Sequence, residues 1–420
     1  MSVFDRLESS VQSYARSIPP VFTKGKGSYV YDDQGNAYLD FLCGAGSLNY
    51  GHNHPYLKQK LLDYISVDGI THSLDLHTEA KAKFLEALDR YILKPRGLSY
   101  RVQFPGPTGT NAVEAALKIA RKVTGRETVV SFTNGFHGVS LGALAVSGNE
   151  HHRGAAGVSL AGTFRLPYAG YMGDGMDTLD YFEKLLDDAS SGLELPAAVI
   201  VEAVQGEGGL NVASVDWLKR LEKVCRKREI LLIVDDIQAG CGRTGTFFSF
   251  EPAGIQPDIV TLSKSLSGMG LPLAVTLIRP ELDEWKPGEH NGTFRGNNHA
   301  FVTAVAAIEH FWTDDAFERQ IQEKAALVEQ RLGKLARRYN LEHRGRGLMQ
   351  GLAMPSGEVA DQVTGAALKE GLMIETAGPE DEVVKLFCAL TIEQADLERG
   401  LDIIERAVEG AMGRHLKQVS

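Results

Sequence analysis

The first candidate for chemistry is Lys264, which ends the apolar run of PDIVTLSK and precedes the flexible SLSGMGLP. In an open α/β sheet, ligands collect at the carboxyl ends of the strands. An apolar cleft disfavours the ammonium form, so the free amine becomes a nucleophile able to form a Schiff base. A surface lysine at a strand end has the same local pattern, and this feature alone does not exclude it.

Asp235 and Asp236 close the most hydrophobic run of the chain, ILLIVDDI. Because side chains alternate across a strand, we expect only one of the two to enter the ligand crevice and the other to be structural. A carboxylate in the crevice must protonate, bind a metal or pair with a buried cation. His residues or further carboxylates at ligand spacing do not follow in the sequence, so we expect no metal.

The third place is a helix start, in FPGPTGTNAVEAALKIARK. Asn111 and Glu114 have the spacing of a capping box, which predicts Asn111 as the N-cap. The amides of Gly109, Thr110 and Asn111, with the hydroxyls of Thr108 and Thr110, could form a phosphate cradle at the positive end of the helix dipole. The sequence has neither GxxxxGK[ST] nor a strand-linked GxGxxG, so it supports neither a P-loop nor a dinucleotide fold.

A competing pattern, Gly138-Val-Ser140-Leu-Gly142, fits the G-x-S-x-G elbow of serine hydrolases. The pattern arises often by chance in a chain with 45 glycines. A hydrolase also needs a later acid and then a histidine, for which Asp258 and His299 are available but lack a supporting context. A serine hydrolase therefore stays a remote alternative.

The elements that must position these residues alternate between helices and continuous apolar strands from about residue 77 to residue 300. Such alternation predicts a mostly parallel sheet that is covered on both faces. Long helices, short strands and a last helix follow after residue 300, and this pattern predicts a smaller α+β unit. Near the N-terminus, residues 28–41 predict a β-hairpin. We expect an N-terminal segment packed with the small domain (1–60), a large ligand-binding domain (61–300) and a C-terminal small domain (301–420).

Composition narrows the classes of function. The chain has 420 residues, 44 Lys and Arg against 54 Asp and Glu, and a net charge of −10. The negative field and the lack of a basic block argue against nucleic-acid binding. No run of 18 apolar residues suggests a membrane span, so we expect a soluble cytoplasmic protein. The four cysteines are far apart and predict buried free thiols.

The order of these features resembles a fold-type I pyridoxal-phosphate enzyme. Lys264 follows Asp235 by 29 residues (264 − 235), after the predicted phosphate cradle. The stretch from residue 231 to residue 274 resembles the signature of class III aminotransferases, with Asp236 in place of the more usual Glu. The resemblance extends through FTNGFHG, VEAVQGEGG, NGTFRGNN and HRGRGLMQG, over nearly the whole chain. It implies an α/β fold with a large, mostly parallel domain, and pyridoxal 5'-phosphate as cofactor.

The resemblance also implies the roles of individual residues. Lys264 would hold the cofactor covalently and shuttle a proton at the substrate carbon. Asp235 would pair with the pyridinium nitrogen, and Gln238 would bind the phenolic oxygen. Phe136 would stack on the ring face. Thr293 matches a threonine that reaches the phosphate from the neighbouring subunit, which implies a homodimer or larger oligomer with shared active sites.

The implied activity moves the amino group of L-glutamate to L-aspartate 4-semialdehyde, a step of ectoine biosynthesis. Its partners would be amino acid and 2-oxo acid substrates. Lys385 stands where this class often has an arginine for a substrate carboxylate, and Glu207 matches the acid that pairs with it. We expect a Glu207/Lys385 gate that glutamate opens, and Arg16 is a second candidate for a carboxylate. Ornithine, acetylornithine or 4-aminobutyrate specificity and an aminomutase remain alternatives.

Overall fold

A computed structural model describes residues 2–173 and 175–419. Within these residues the largest sheet has seven strands in the order β4-β10-β9-β8-β7-β5-β6. Strands β9, β8, β7, β5 and β6 pair in parallel, whereas β10 is antiparallel to both β9 and β4. The prediction of a mostly parallel sheet is confirmed. The strands of this sheet are β4 Arg101–Gln103, β5 Val129–Phe132, β6 Thr163–Leu166, β7 Ala198–Val201, β8 Leu231–Asp235, β9 Ile259–Leu262 and β10 Val275–Ile278.

The central strands are rich in apolar residues because helices cover both faces of the sheet. All residues of β5, β7, β9 and β10 are buried. The helices in the described part of the chain are α1 Val3–Leu7, α2 Tyr14–Ser17, α3 Cys43–Gly46, α4 Pro55–Ser66, α5 Glu79–Ala87, α6 Gly109–Thr124, α7 Leu141–Val146, α8 Glu150–Gly154, α9 Thr178–Asp187, α10 Val215–Lys227, α11 Asn298–Phe311, α12 Ala316–Tyr339, α13 Gly357–Lys369 and α14 Gln394–Val419.

Two smaller sheets flank the large one, with the strand orders β1-β2-β3-β13 and β11-β12-β15-β14. The predicted hairpin is present as β2 and β3, and β3 pairs in parallel with β13. The N-terminal hairpin therefore shares a sheet with a strand from the C-terminal third. The domain boundaries at residues 60 and 300 stay a prediction. These strands are β1 Phe22–Lys26, β2 Tyr29–Asp32, β3 Ala37–Asp40, β11 Glu342–Arg346, β12 Met349–Ala353, β13 Leu372–Met373, β14 Glu375–Ala377 and β15 Val383–Leu386.

The start of α6 corrects one sequence prediction. The N-cap is Thr108 and not Asn111, because Thr108 and Asn111 form the reciprocal capping box three residues earlier in the chain than expected. Asn111 is the third helical residue, and Glu114 instead accepts hydrogen bonds from the amides of Gly142 and Ala143 at the start of α7. Gly109 and Thr110 thus form the first turn of α6.

The four cysteines are buried and free, as predicted. Among residues 2–173 and 175–419, helices of sufficient length and hydrophobicity to cross a membrane are absent.

Candidate active site

The carboxyl ends of β8 and β9 bring Asp235 and Lys264 to one cavity. Asp235 is the last residue of β8 and lies opposite Thr261 of the parallel neighbour β9, and Lys264 follows β9 by two residues. The cavity has a volume of about 150 Å³. Its lining comprises Gly109, Thr110, Phe136, His137, Gly138, Glu202, Glu207, Asp235, Ile237, Gln238 and Lys264.

Lys264 has an unusual backbone conformation and an amine whose pKa is lowered. Its φ of 49° lies in the left-handed region, which residues with a side chain rarely adopt outside functional sites. The Nζ atom donates a hydrogen bond to the carbonyl oxygen of Ala45 at 2.8 Å. Burial lowers the pKa of this amine, although the nearby Glu207 carboxylate opposes the shift. Burial therefore favours the free amine that a nucleophile needs.

Asp235 is held by bonds to both of its carboxylate oxygens. Its Oδ2 atom lies 2.7 Å from Nδ1 of His137, and its Oδ1 atom accepts from the hydroxyl of Thr261 at 3.0 Å. Burial alone lowers the pKa of His137, but the hydrogen bond and charge of Asp235 outweigh burial and raise it. The two buried side chains thus form a fixed hydrogen-bonded pair beside the cavity.

Asp236 points away from the cavity, as the alternation along β8 predicts. Its carboxylate accepts hydrogen bonds from the amide of Ser249, at 2.9 Å, and from the hydroxyl of the same residue. Burial raises the pKa of Asp236 to about 7. Asp236 therefore fixes the loop around Ser249, and Asp235 alone faces the site.

Glu202 is a site residue that the sequence analysis missed. It directly follows β7, and its carboxylate accepts from the amides of Phe136 at 3.0 Å and Gly206 at 3.3 Å. Burial raises the pKa of Glu202 to about 7, although the charge of His137 opposes the rise. A polar residue directly after an apolar strand was the signal that identified Lys264, and the same signal was available here.

The first turn of α6 forms one wall of the cavity. Gly109 and Thr110 line it, whereas the Thr108 hydroxyl donates to Oδ1 of Asn111 as part of the capping box. Gly138 lies opposite, with a φ of 124°, and a Cβ there would come within 2.4 Å of the Thr110 hydroxyl oxygen. A side chain at position 138 would fill the space beside the helix start, where an anion is favoured.

The three candidate triad residues of a serine hydrolase, Ser140, Asp258 and His299, each contact other residues in the structure. The Ser140 hydroxyl donates to Glu114 at 3.0 Å and lies 2.7 Å from the hydroxyl of Thr110. Asp258 accepts from the amide of Leu232, within the large sheet. Nε2 of His299 lies 3.4 Å from the hydroxyl of Thr71. Ser140 thus supports the helix start instead of facing a catalytic histidine.

Glu207 and Lys385, the predicted gate residues, are in direct contact. Nζ of Lys385 lies 3.0 Å from Oε1 of Glu207, which also accepts from Nε2 of Gln238 at 2.8 Å. Burial alone raises the pKa of Glu207, but the charge interactions with Lys385 and Lys264 and the hydrogen bonds from Gln238 and Lys385 outweigh it and lower that pKa to about 2. The pair connects β15 to the wall of the cavity.

Phe136 and Glu207 also line a second, outer cavity of about 290 Å³ that adjoins the first. Its lining also includes residues from the segment 148–152, which contains the start of α8, and from the segment 377–381, which begins at the last residue of β14. The edge of Phe136 meets the ring of His152, with centroids 5.6 Å apart. The outer cavity is therefore a path by which a small molecule can reach Lys264.

Two predicted residues lie elsewhere in the chain's own structure. Thr293 is exposed on a short turn, where its carbonyl oxygen accepts from Nε2 of His72 at 2.6 Å. Arg16 lies on α2, and its guanidinium donates to the carbonyl oxygens of Gln12 and Ser10. The structure therefore leaves the roles expected for Thr293 and Arg16 untested.

The comparisons with known proteins identify the family. The family model for class III aminotransferases matches residues 11–408, and the chain belongs to this family. The chain is 59% identical, over the whole of both sequences, to the diaminobutyrate–2-oxoglutarate transaminase of Vibrio parahaemolyticus. It is 62% identical to the enzyme of that name from Vibrio cholerae, over 97% of this chain and 100% of the relative.

The fold is also that of solved aminotransferases. An ornithine aminotransferase from Toxoplasma gondii, described with partial occupancy of PLP at its active site, superposes with a TM-score of 0.82 at 27% identity. The match covers 98% of this chain and 93% of the other. The fold-type I architecture that the resemblance implied is confirmed.

The cavity fits pyridoxal 5'-phosphate, the cofactor of this family. Gln238 lines the cavity, and its Oε1 atom is buried and lacks a hydrogen-bond partner within the described part of the chain. Lys264 provides an amine, Asp235 provides a carboxylate, and the start of α6 at Gly109 and Thr110 provides amides for a phosphate. These residues would hold the aldehyde end, the ring nitrogen and the phosphate of the cofactor.

Proposed function

We propose that the chain transfers the amino group of L-glutamate to L-aspartate 4-semialdehyde, which gives L-2,4-diaminobutyrate and 2-oxoglutarate and contributes to ectoine biosynthesis. The observation that carries the proposal is the full-length identity of 59% to a diaminobutyrate–2-oxoglutarate transaminase, together with a matching cavity. Both substrates are small metabolites, and we place the reaction in the cytoplasm.

The chain's own residues divide the chemistry between them. Pyridoxal 5'-phosphate, when bound, supplies a ring that withdraws electrons from the reacting carbon. Lys264 would hold its aldehyde end, and its Nζ atom would move a proton at the substrate carbon. Asp235, held by His137, would pair with the ring nitrogen. The amide of Gln238 would bind the ring oxygen, and Phe136 would cover the ring face.

Glu207 and Lys385 act as a gate between the two half-reactions. The carbon of glutamate that carries the reacting amine also carries a carboxylate, whereas the aldehyde carbon of the semialdehyde carries a hydrogen. Lys385 pairs with Glu207 when the semialdehyde is bound, and with a glutamate carboxylate when Glu207 withdraws. A lysine offers a point charge instead of the bidentate fork of arginine, so its hold on the carboxylate is less rigid. Arg16 is a second candidate for a substrate carboxylate.

A substrate panel tests this function against its alternatives. Purified holoenzyme is given 2-oxoglutarate with L-2,4-diaminobutyrate, ornithine, acetylornithine or 4-aminobutyrate, and glutamate formation is measured. We expect kcat/KM to be highest for diaminobutyrate. A higher value for another amine would reassign the substrate. Conversion of diaminobutyrate without 2-oxoglutarate would indicate an aminomutase.

We also propose that the active unit is at least a homodimer in which Thr293 reaches the phosphate site of the partner. Exposed apolar side chains occur at Phe294, next to Thr293, and in the segment 62–76, which contacts this turn through His72; they support an interface there. The hydrogen bond from His72 joins this turn to the apolar segment. The exposed apolar side chains are Leu62, Ile65, Val67, Ile70, Leu74, Leu76 and Phe294, each at least 44% exposed.

A further inference from the structure

Lys385 has a second carboxylate partner, Glu375. The Lys385 side chain is fully buried, and its Nζ atom lies 2.7 Å from Oε1 of Glu375 and 3.0 Å from Oε1 of Glu207. The Nζ atom donates a hydrogen bond to Glu207, whereas its contact with Glu375 is an ion pair without hydrogen-bond geometry. Their charges raise the pKa of Lys385 against the opposing effect of burial. One buried cation is therefore shared by two acids.

The two acids differ in how the fold holds them. Glu375 of β14 lies directly opposite Lys385 of β15 in an antiparallel pair, so strand register fixes their contact. Its side chain is 9% exposed. Glu207 comes from the loop after β7, lines the outer cavity, and has a side chain that is 31% exposed. Glu375 is thus the fixed partner, and Glu207 is the partner on the substrate side.

A gate with Glu207 alone would have a costly intermediate state. When Glu207 withdraws and before a substrate carboxylate arrives, Lys385 would be a buried charge without a partner. A buried lysine in this situation tends to lose its proton, and a neutral amine cannot attract a carboxylate. The gate therefore needs a second anion that stays in place.

We propose that Glu375 is the permanent counter-ion of Lys385, a positioning residue that keeps the ammonium group charged and in place while Glu207 exchanges with a carboxylate of the amino donor. This inference rests on the proposed function. Other groups that face the cluster are the Phe387 ring, 4.8 Å from Nζ of Lys385, the amide of Gln238, which donates to Glu207, and the electrostatically coupled Lys264. Tyr14 is hydrogen-bonded to Glu375, and Asp381 is coupled to Glu207. Glu375 and Glu207 are the carboxylates that form ion pairs with Lys385 in the described part of the chain.

The test compares two amino donors on the same holoenzyme. Glu375→Gln keeps the shape of the side chain but removes its charge. Single-turnover reactions with L-glutamate and with L-2,4-diaminobutyrate are followed by the visible absorbance of the bound cofactor, from neutral to alkaline pH. We expect the rate constant with glutamate to fall by about tenfold, and further as pH rises, because Lys385 loses its proton in the open state. The rate constant with diaminobutyrate should change little, because that reaction leaves Lys385 paired with Glu207.

Two variants and one measurement without cofactor act as controls. Glu375→Asp keeps the charge and should restore part of the glutamate rate. Glu358→Gln makes the same chemical change on the exposed side of α13 and should leave both rates unchanged. In urea unfolding of the cofactor-free protein, Glu375→Gln and Lys385→Met should be non-additive, with the double variant less destabilised than the sum of the single ones.

An equal loss of rate with both amino donors, an unchanged glutamate rate, or additive stability effects would each overturn the inference. Wild-type protein that does not react with glutamate would instead refute the proposed function. The two failures are therefore distinguishable.

Discussion

At the scale of residues, chemically identical side chains of the site have different properties because their surroundings differ. Lys264 and Lys385 are both buried lysines, but burial lowers the pKa of Lys264 while two carboxylates raise that of Lys385. One is suited to be a nucleophile and the other a permanent cation. Asp235 and Asp236 are separated in the same way, because alternation along β8 turns one into the cavity and the other into the protein.

The buried carboxylate of Asp236 makes stability depend on pH. Its folded pKa of about 7 lies above the unfolded value of 3.8, so its contribution to stability is fully present below pH 4 and is lost as pH rises through 7. Asparagine can keep the hydrogen bonds to Ser249 without a charge. We expect Asp236→Asn to gain stability relative to wild type as pH rises from 5 to 8, by a few kcal/mol.

The measurement is the unfolding midpoint of both proteins at several pH values. The difference between variant and wild type, not the midpoint itself, isolates Asp236 from other titrating groups such as Glu202. A difference that stays constant between pH 5 and 8 would show that Asp236 titrates normally in the folded protein.

The sequence could predict site residues only where a local signal was strong. Lys264 and Asp235 end long apolar runs, and both line the cavity. His137 and Glu375 were missed because their partners are set by tertiary pairing: His137 contacts Asp235 across 98 residues, and the register of β14 against β15 places Glu375 at Lys385. Such contacts depend on strand order and register, which the sequence pattern does not specify.

At the scale of elements, the buried strands and amphipathic helices were predictable, and the short or weakly patterned ones were not. The four-residue strand β6 was missed, because it lies at an edge of the sheet and only its last residue is buried. The helix α13 was also missed, since its sequence GEVADQVTGAALK is rich in small residues. The N-cap of α6 was predicted three residues late, because Thr108 and Asn111 both have side chains that can cap a helix.

Arg243 joins three separate elements of the fold in its interior. Its guanidinium donates to the carbonyl oxygens of Leu348 at 3.0 Å and Cys388 at 2.7 Å, and to Oδ1 of Asn49 at 2.6 Å. It also lies 4.6 Å above the ring of Phe387. One fully buried side chain therefore connects Asn49 of the N-terminal segment to Leu348, which directly precedes β12, and to Cys388, which follows β15.

We expect Arg243→Met to lower the free energy of unfolding by about 3 kcal/mol or more, because it leaves several buried acceptors without a donor. Arg338→Met, which removes an exposed ion pair of α12 with Glu409, should cost less than about 1 kcal/mol. Urea unfolding of both variants gives the comparison. Equal effects would show that the buried network does not stabilise the fold.

At the scale of the whole molecule, the homodimer proposed above would bring Thr293 of one chain to the phosphate site of its partner. Thr293 and the neighbouring Phe294 are exposed in the chain's own structure. If Thr293 acts on the partner's site, a mixed dimer with Lys264 lost from one chain and Thr293 lost from the other has both defects in one site and leaves the second site intact.

Complementation measures this directly. Lys264→Ala and Thr293→Val chains with different tags are co-expressed, and the mixed dimer is purified. One of its sites then combines a normal Lys264 with a normal Thr293 from the other chain, so we expect about half of the wild-type activity, as in a dimer of wild type with Lys264→Ala. Activity no higher than half that of the Thr293→Val homodimer would place Thr293 in its own chain's site.

The most direct test of the account locates the covalent bond to the cofactor. The holoenzyme is reduced with borohydride, digested, and searched by mass spectrometry for the peptide that carries the cofactor. The account predicts that the label is on Lys264, whose pKa is lowered, and that Lys264→Ala removes it. A label on Lys385, or none on either lysine, would contradict the assignment of the site.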